Sequence, residues 1–244
     1  MKKQLLLGCI VGFGLLTVVG CGSLNPINAV VGDIEKDEIV VKKDQATELE
    51  MELDLGAGEM HVTGGANDWI TGEIEYNSSK LKPKVSYDLD GKTGKASIKQ
   101  KKNVNLNVEF GEHKNRWYLQ LTDDIPMDLQ VDVGASDTKL DLRGIQLTEL
   151  NLDAGVGDIE VDLSGDWQES FDATIHTGIG ETTVILPKDV GVKVVSEKGI
   201  GTADFTGFIS QGDNVYVNEA YETADVVIMV EAEMGIGEAN FKLK

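Results

Sequence analysis

The fold is decided by the stretch LNLDAGVGDIEVDL, residues 150–163. Apolar and polar residues alternate on both sides of its glycine pair, and a period of two is typical of half-buried strands. Ile159 follows Ala154 by five residues, which is an odd number. In a straight strand, the apolar residues before the glycine pair and those after it would therefore point to opposite faces. The pair Gly155 and Gly157 must therefore absorb one residue, as a bulge or tight corner does.

The same Gly-x-Gly/Ser-acid unit recurs along the chain. Its copies are Gly56-Ala57-Gly58-Glu59, Gly134-Ala135-Ser136-Asp137, Gly155-Val156-Gly157-Asp158, Gly178-Ile179-Gly180-Glu181, Gly199-Ile200-Gly201-Thr202 and Gly235-Ile236-Gly237-Glu238. Around each, apolar residues tend to fall five, three and one before the first glycine, and four and six after it. From the second to the fifth copy the spacing is 21 to 23 residues, whereas the first copy stands apart. The wider last interval predicts an extra hairpin near 211–214.

One such unit cannot bury its apolar face alone, but stacked units can. We therefore predict an all-β protein, with a β-solenoid of rungs of about 21 residues over 125–244 and an N-terminal β module over 46–124. An antiparallel β-sandwich of similar strands is the alternative. Within the N-terminal module, Asp90-Gly91 predicts a hairpin between strands at 85–87 and 96–98.

The N-terminus has the features of an export signal. A basic start, Met1-Lys2-Lys3, precedes an apolar run from Leu5 to Val19, which is the length of a secretory signal and short for a membrane span. The run ends in Val18-Val19-Gly20-Cys21, which resembles a bacterial lipoprotein signal. Residues 1–20 are then a signal peptide, Cys21 carries lipid, and 21–45 form a polar tether to the outer face of a bacterial membrane. A plain signal peptide or anchor is the alternative.

Composition excludes several classes of function. The net charge of −20 argues against a nucleic-acid partner, because phosphate binding needs a basic surface. Two cysteines rule out a disulfide scaffold and a cysteine-rich zinc site.

Acidic residues occupy two outward positions of the repeat, two before and three after the first glycine. If the rungs stack about 4.8 Å apart, each position becomes a column of like charges. A solvated outer face, a basic partner surface and a Ca²⁺ ladder all fit this pattern. No other cofactor is expected. The weak candidates for metal binding are Asp132, Asp137, Asp153, Asp158, Glu181, Glu233 and Glu238.

No enzyme is indicated, because none of the three histidines, His61, His113 and His176, lies in a recognised nucleophile motif. Aromatic residues that would suit a glycan are Trp167, Tyr216 and Tyr221, although their positions favour core or capping roles. A locally basic stretch contains Lys80, Lys82, Lys84, Lys92, Lys95, Lys99, Lys101 and Lys102. It is consistent with an anionic membrane surface, with an acidic neighbour or with exposed strand lysines.

Several segments together resemble the toast-rack family of bacterial envelope proteins. They are LDLGAGE at 53–59, NRWYLQL at 115–121, IPMDL at 125–129, DVGA at 132–135, LDL at 140–142 and LDAGVG at 152–157. The C-terminal β region of LiaF-type proteins, which respond to cell-wall-active antibiotics, is similar at a greater distance.

The resemblance implies a solenoid-like β domain without known catalytic residues. We accordingly expect a non-enzymatic envelope lipoprotein that contacts an unidentified envelope protein, in stress sensing or regulation. A glycan-binding or glycan-cleaving solenoid and a Ca²⁺-stabilised adhesin-like module are the alternatives.

Overall fold

The alternating stretches fold as strands in the computed structural model, which describes residues 33–100 and 114–244. Fourteen strands and no helix are present in these ranges. They are β1 (Glu35–Val41), β2 (Glu48–Thr63), β3 (Ile70–Tyr76), β4 (Lys84–Asp90), β5 (Thr93–Lys99), β6 (Asn115–Leu121), β7 (Met127–Asp141), β8 (Leu147–Val156), β9 (Ile159–Asp162), β10 (Phe171–Leu186), β11 (Gly191–Thr206), β12 (Ile209–Gly212), β13 (Val215–Val217) and β14 (Val227–Leu243). The prediction of an all-β protein is confirmed.

The six copies of the glycine unit stack side by side as parallel bent strands. In spatial order they lie on β2, β7, β8–β9, β10, β14 and β11. Each strand has one arm before the glycine corner and one after it. The parallel pairing and the corner agree with the stacked-repeat solenoid and not with the antiparallel sandwich.

The second glycine of the corner adopts a backbone conformation that other residues avoid. Gly180 and Gly237, which are neighbours in the stack, have φ of 143° and 145°. The strand pairing skips the first glycine of each copy, so the corner takes up one residue, as predicted. The copy on β7 has Ser136 at the second position, where its hydroxyl lies 2.8 Å from that of Thr138.

The core lies between the two arms of the stack. It is formed by the predicted inward columns, for example Leu150, Leu152, Ile159 and Val161, all at most 3% exposed. Short turns return the chain from the end of one rung to the start of the next. Leu142 and Ile145, in the turn after β7, are buried and close the space between the arm ends.

The last copy is inserted between two earlier ones. Strand β14 pairs with β10 on one side and with β11 on the other. A solenoid that winds in chain order would place β11 next to β10, whereas here β14 lies between them. The predicted hairpin is present as β12 and β13, with Asp213 and Asn214 in its turn.

The N-terminal segment is continuous with the stack. Strand β2 forms its first rung, pairing along both arms with β7. Beyond β2, the first arm continues into the predicted hairpin β5–β4, and the second arm into β6, β3 and β1. The predicted tether to residue 45 therefore includes a folded strand: β1 pairs with β3 and buries Ile39 and Val41.

Several predictions concern residues outside the described ranges, namely the signal over 1–20, the lipidated Cys21, and His113, Lys101 and Lys102. Within the described ranges, no helix has the length and apolar character needed to cross a membrane.

Candidate contact surface at the strand corners

The middle residue of each glycine unit forms an exposed apolar row at the apex of the bend, which we call the corner ridge. In spatial order it consists of Ala57, Ala135, Val156, Ile179, Ile236 and Ile200, each in register with the next. The last four expose between 49% and 73% of their surface. At a strand spacing of about 4.8 Å they form an aliphatic strip roughly 14 Å long. The sequence analysis did not identify this row.

Acidic columns flank the corner ridge on both arms, as predicted. The upstream column is Asp54, Asp132, Asp153, His176, Glu233 and Glu197 in spatial order. The downstream column is Glu59, Asp137, Asp158, Glu181, Glu238 and Thr202. Asn240 of β14 offsets some of the repulsion between these carboxylates. It donates hydrogen bonds to Glu181 on the neighbouring strand β10 at 3.2 Å and to Glu238 on its own strand at 3.3 Å.

A shallow groove of about 830 Å³ runs between the upstream column and the glycines of all six rungs. The glycines add only backbone to its lining, whereas the column adds carboxylates and His176. Nδ1 of His176 lies 3.1 Å from Oδ1 of Asp153 on the adjacent strand. His176 is thus the one cationisable side chain within the upstream column.

The electrostatics of the first arm show the crowding of carboxylates. The pKa of Asp132 is raised, first by desolvation and then by the charges of Asp153, Asp54 and Glu52, against a hydrogen bond from Gln130 that lowers it. The pKa of Asp128 is raised for the same reasons, with Glu149 and Glu50 as its charged neighbours. This face of the sheet therefore favours an approaching cation.

The predicted metal candidates fall within the two columns. Asp132 and Asp153 are adjacent, and Glu233 follows beyond His176. Asp137, Asp158, Glu181 and Glu238 follow one another on successive strands. Across residues 33–100 and 114–244, no group of three or more acidic, histidine or cysteine side chains is arranged to hold a metal ion.

Three lysines of the basic stretch pair with acids of the same chain. Lys95 contacts Glu50 at 3.5 Å and Asp90 at 3.4 Å, and Lys99 pairs with Glu52. Lys82 lies 2.9 Å from Asp37. Lys95 and Lys99 of β5 thus lie against the acidic side chains of β2, the first rung of the stack.

The aromatic candidates for glycan binding have structural roles. Trp167 is 6% exposed, and its indole N–H donates to the Leu163 carbonyl at 2.7 Å. Tyr216 stacks on Phe205 at the end of the sheet, with ring centroids 3.5 Å apart. Tyr118, stacked on His61, is the exposed aromatic ring that sequence analysis missed.

Comparison with known families gives two matches. The N-terminal domain of toast-rack matches residues 30–185, and the C-terminal domain of LiaF, described as cell wall-active antibiotics response, matches residues 135–240. No curated protein matches the sequence.

Among solved structures, a candidate cell adhesion protein from Clostridium sporogenes is 32% identical, with a TM-score of 0.84 over 87% of this chain and 100% of that one. A candidate adhesin from Bacteroides fragilis is 11% identical, with a TM-score of 0.27 over 85% of this chain and 97% of that one. The first of these shares the whole architecture described above.

Proposed function

This chain belongs to the toast-rack family, and on that premise we propose that it is a non-enzymatic cell-envelope protein that binds a cationic protein partner along the corner ridge. The proposal includes a lipid anchor on Cys21 and a role in the response to envelope stress. The observation that carries it is the aliphatic strip at the corners with acidic columns on both sides.

The envelope assignment is supported by the matched families. The LiaF C-terminal family is described by its response to cell wall-active antibiotics, and the similar Clostridium protein by cell adhesion. An export signal that ends in Cys21 supports placement outside the cytoplasm. Two or more acyl chains on that cysteine would anchor the chain stably.

The chemistry of the partner follows from the corner ridge. Exposed Ile179, Ile236 and Ile200 favour an apolar strip on the partner, because single exposed apolar residues are common but a continuous row marks a contact surface. The acidic columns favour lysine or arginine on either side of that strip. A second copy of the same ridge is disfavoured, since its acids would face these acids. An anionic lipid surface is disfavoured for the same reason.

The repeating surface also explains why we propose binding and not catalysis. Each rung offers the same carboxylates at the same positions, whereas a catalytic site needs residues in distinct roles. The two exceptions in the columns are His176, which is exposed and paired with Asp153, and Thr202.

Site-specific photocrosslinking in cells tests the proposal. A crosslinking residue at Ile179 should give an adduct with one envelope protein, and the adduct should weaken as salt is raised. The double change Ile179→Ser with Ile236→Ser removes the apolar row, and Glu181→Gln with Glu238→Gln removes acidic charge. Each of these two double variants should reduce the yield of adduct from a crosslinking residue placed at neighbouring Val156.

The matched control is Val85→Ser, which removes an exposed apolar side chain from β4, away from the corners. It should leave the adduct unchanged. Adducts of equal yield from a probe at Val85 would contradict a specific surface. For the stress role, loss of the chain should change survival under a cell wall-active antibiotic, and the ridge variants should reproduce that change.

A further inference from the structure

One end of the stack leaves a strand edge open along its second arm. Strand β11 pairs with β14 from Gly191 to Thr206. On its other side, β13 pairs only with Lys193–Val195, in the first arm. Within the described ranges, no strand pairs with this outer side of β11 beyond the corner. Alternate N–H and C=O groups from Ile200 towards Phe205 therefore point outward without a strand partner. The open stretch ends at the Phe205 carbonyl, which accepts a hydrogen bond from the Phe208 N–H at 3.2 Å.

The apolar core at this end is nevertheless closed. Phe241 of β14 stacks on Phe205 of β11 at 4.7 Å between ring centroids, and Tyr216 stacks on the other face of Phe205 at 3.5 Å. Tyr216 thus takes the place that an inward side chain of a further rung would occupy. The core is capped while the backbone edge is not, which is the state that suits addition of a strand.

The two ends of the same sheet differ in charge. At the opposite edge, β1 begins Glu35-Lys36-Asp37-Glu38, a run of charges of the kind that protects edge strands from pairing. The open segment of β11 reads Ile200-Gly201-Thr202-Ala203 and carries no charge until Asp204. Ile200 is also 73% exposed, the highest value among the exposed large hydrophobic residues.

We propose that two copies of this chain associate through the Ile200–Thr206 edges, in an antiparallel arrangement that continues the sheet across a two-fold axis. In the register centred on Ala203, each Thr202 lies opposite the partner copy's Asp204. Thr202 is the exception in the downstream column, which is otherwise acidic. A glutamate there would face Asp204 of the other copy, and like charges directly opposite destabilise a strand pair.

Electrostatics gives this association a distinctive salt dependence. Each copy carries a net charge of −20, so the two copies repel at long range. Salt screens that repulsion but leaves the edge hydrogen bonds in place. Self-association should therefore strengthen as salt rises, whereas binding of a cationic partner to the corner ridge should weaken. Failure of one proposal is thus distinguishable from failure of the other.

Disulfide trapping tests the register. In the full chain with Cys9→Ser and Cys21→Ser, the change Ala203→Cys places one thiol on each side of the axis. Directly opposite residues have Cβ atoms about 4.5–5.5 Å apart, and disulfides span about 3.5–4.5 Å, so a small approach of the two edges allows the bond to form. Mild oxidation in detergent should give a covalent dimer as the main product. The matched control is Val40→Cys on the charged β1 edge, which should stay monomeric.

Sedimentation of the full chain in detergent gives a second measurement. The native chain should show a dimer whose proportion rises with NaCl. Thr202→Glu places a carboxylate opposite the partner copy's Asp204 and should weaken association by at least roughly tenfold, which is 1.4 kcal/mol, while the chain remains folded. Dimers that are equally abundant in Thr202→Glu, equal trapping at residues 203 and 40, or a native chain that stays monomeric at high salt would overturn the proposal.

Discussion

The carbonyl oxygen of Gly178 on β10 occupies the space that a side chain on Gly235 of β14 would need. The same contact recurs from rung to rung, since the carbonyl of Gly155 lies against Gly178 and that of Gly235 against Gly199. The first glycine of the unit is therefore required by the close approach of neighbouring backbones, and the second by its positive φ.

Gly235→Ala should lower the free energy of unfolding by at least about 2 kcal/mol, because the added methyl group must push the backbones of β14 and β10 apart. Urea unfolding monitored by circular dichroism measures the change. Gly144→Ala is the control: its φ of 85° is unfavourable for alanine, a strain that the backbone of Gly235 does not impose, but no atom lies near the added methyl. A loss in Gly235→Ala no larger than in Gly144→Ala would contradict the packing argument.

Asp132→Asn should stabilise the protein at neutral pH. The pKa of Asp132 is raised in the folded state, so folding favours its protonated form, and the charged form costs stability above that pKa. At low salt the gain should be about 1 kcal/mol or less, and NaCl should reduce it. It should disappear as the pH falls below about 4, where Asp132 is protonated in both states.

The control for this change is Glu222→Gln, in an exposed turn away from the columns. Its unfolding midpoint should stay close to that of the native chain at each pH. A destabilised Asp132→Asn at neutral pH and low salt would show that the carboxylate makes a favourable contact that outweighs its crowding.

Arg143→Met should destabilise the end of the second arm. Asp141 on β7 and Asp162 on β9 are neighbours in the sheet, and the Arg143 guanidinium bridges them, at 2.5 Å from Asp141 and 3.5 Å from Asp162. Hydrogen bonds from Arg143 lower the pKa of Asp141. The side chain of Arg143 is 45% exposed, so we expect a loss of only about 1 kcal/mol at neutral pH.

Because the pKa of Asp141 is lowered in the folded state, its contribution is present at neutral pH and is lost as the pH falls through that lowered value. The difference between Arg143→Met and the native chain should shrink accordingly in acid. Arg143→Lys keeps the charge but not the bidentate hydrogen bonding of the guanidinium, so it should lose less stability than Arg143→Met. Equal melting temperatures for all three chains would exclude a stabilising bridge.

The ridge variant Ile179→Ser with Ile236→Ser should remain folded with a moderate loss of stability. About half of each isoleucine is exposed, so removing the buried halves of the two side chains should cost about 1.5–3 kcal/mol in total. Thermal melting checks this. A large loss of stability would mean that the corner ridge serves the fold. The effect of the ridge on crosslinking would then have to be judged from the variants of the acidic columns alone.

Most of the rung could be predicted because it depends on local pattern. The odd step from Ala154 to Ile159 requires a corner, and the inward columns follow from the period of two. The order of the rungs could not be predicted in full. Every copy has nearly the same pattern, so no local signal tells β10 to pair with β14 in preference to β11.

The corner ridge could not be predicted from local pattern either. The middle residue of the glycine unit is apolar in every copy, from Ala57 to Ile236, at a place where an outward residue would ordinarily be polar. That signal was available, but only the bent geometry shows that the residue is exposed. Strand β1 falls within the predicted tether because its two buried residues, Ile39 and Val41, lie in a short and highly charged segment.

The insertion of β14 between β10 and β11 has a consequence for how the chain reaches its folded state. During synthesis β11 emerges before β14, the strand that joins it to the rest of the sheet. Until β14 is made, β11 either stays unpaired or pairs wrongly with β10 and must later separate from it. Closure is thus a late, non-local event, of the kind that slows folding. A product that stops before Val227 would keep four well-formed rungs and lose the attachment of everything from Gly191 to Val217.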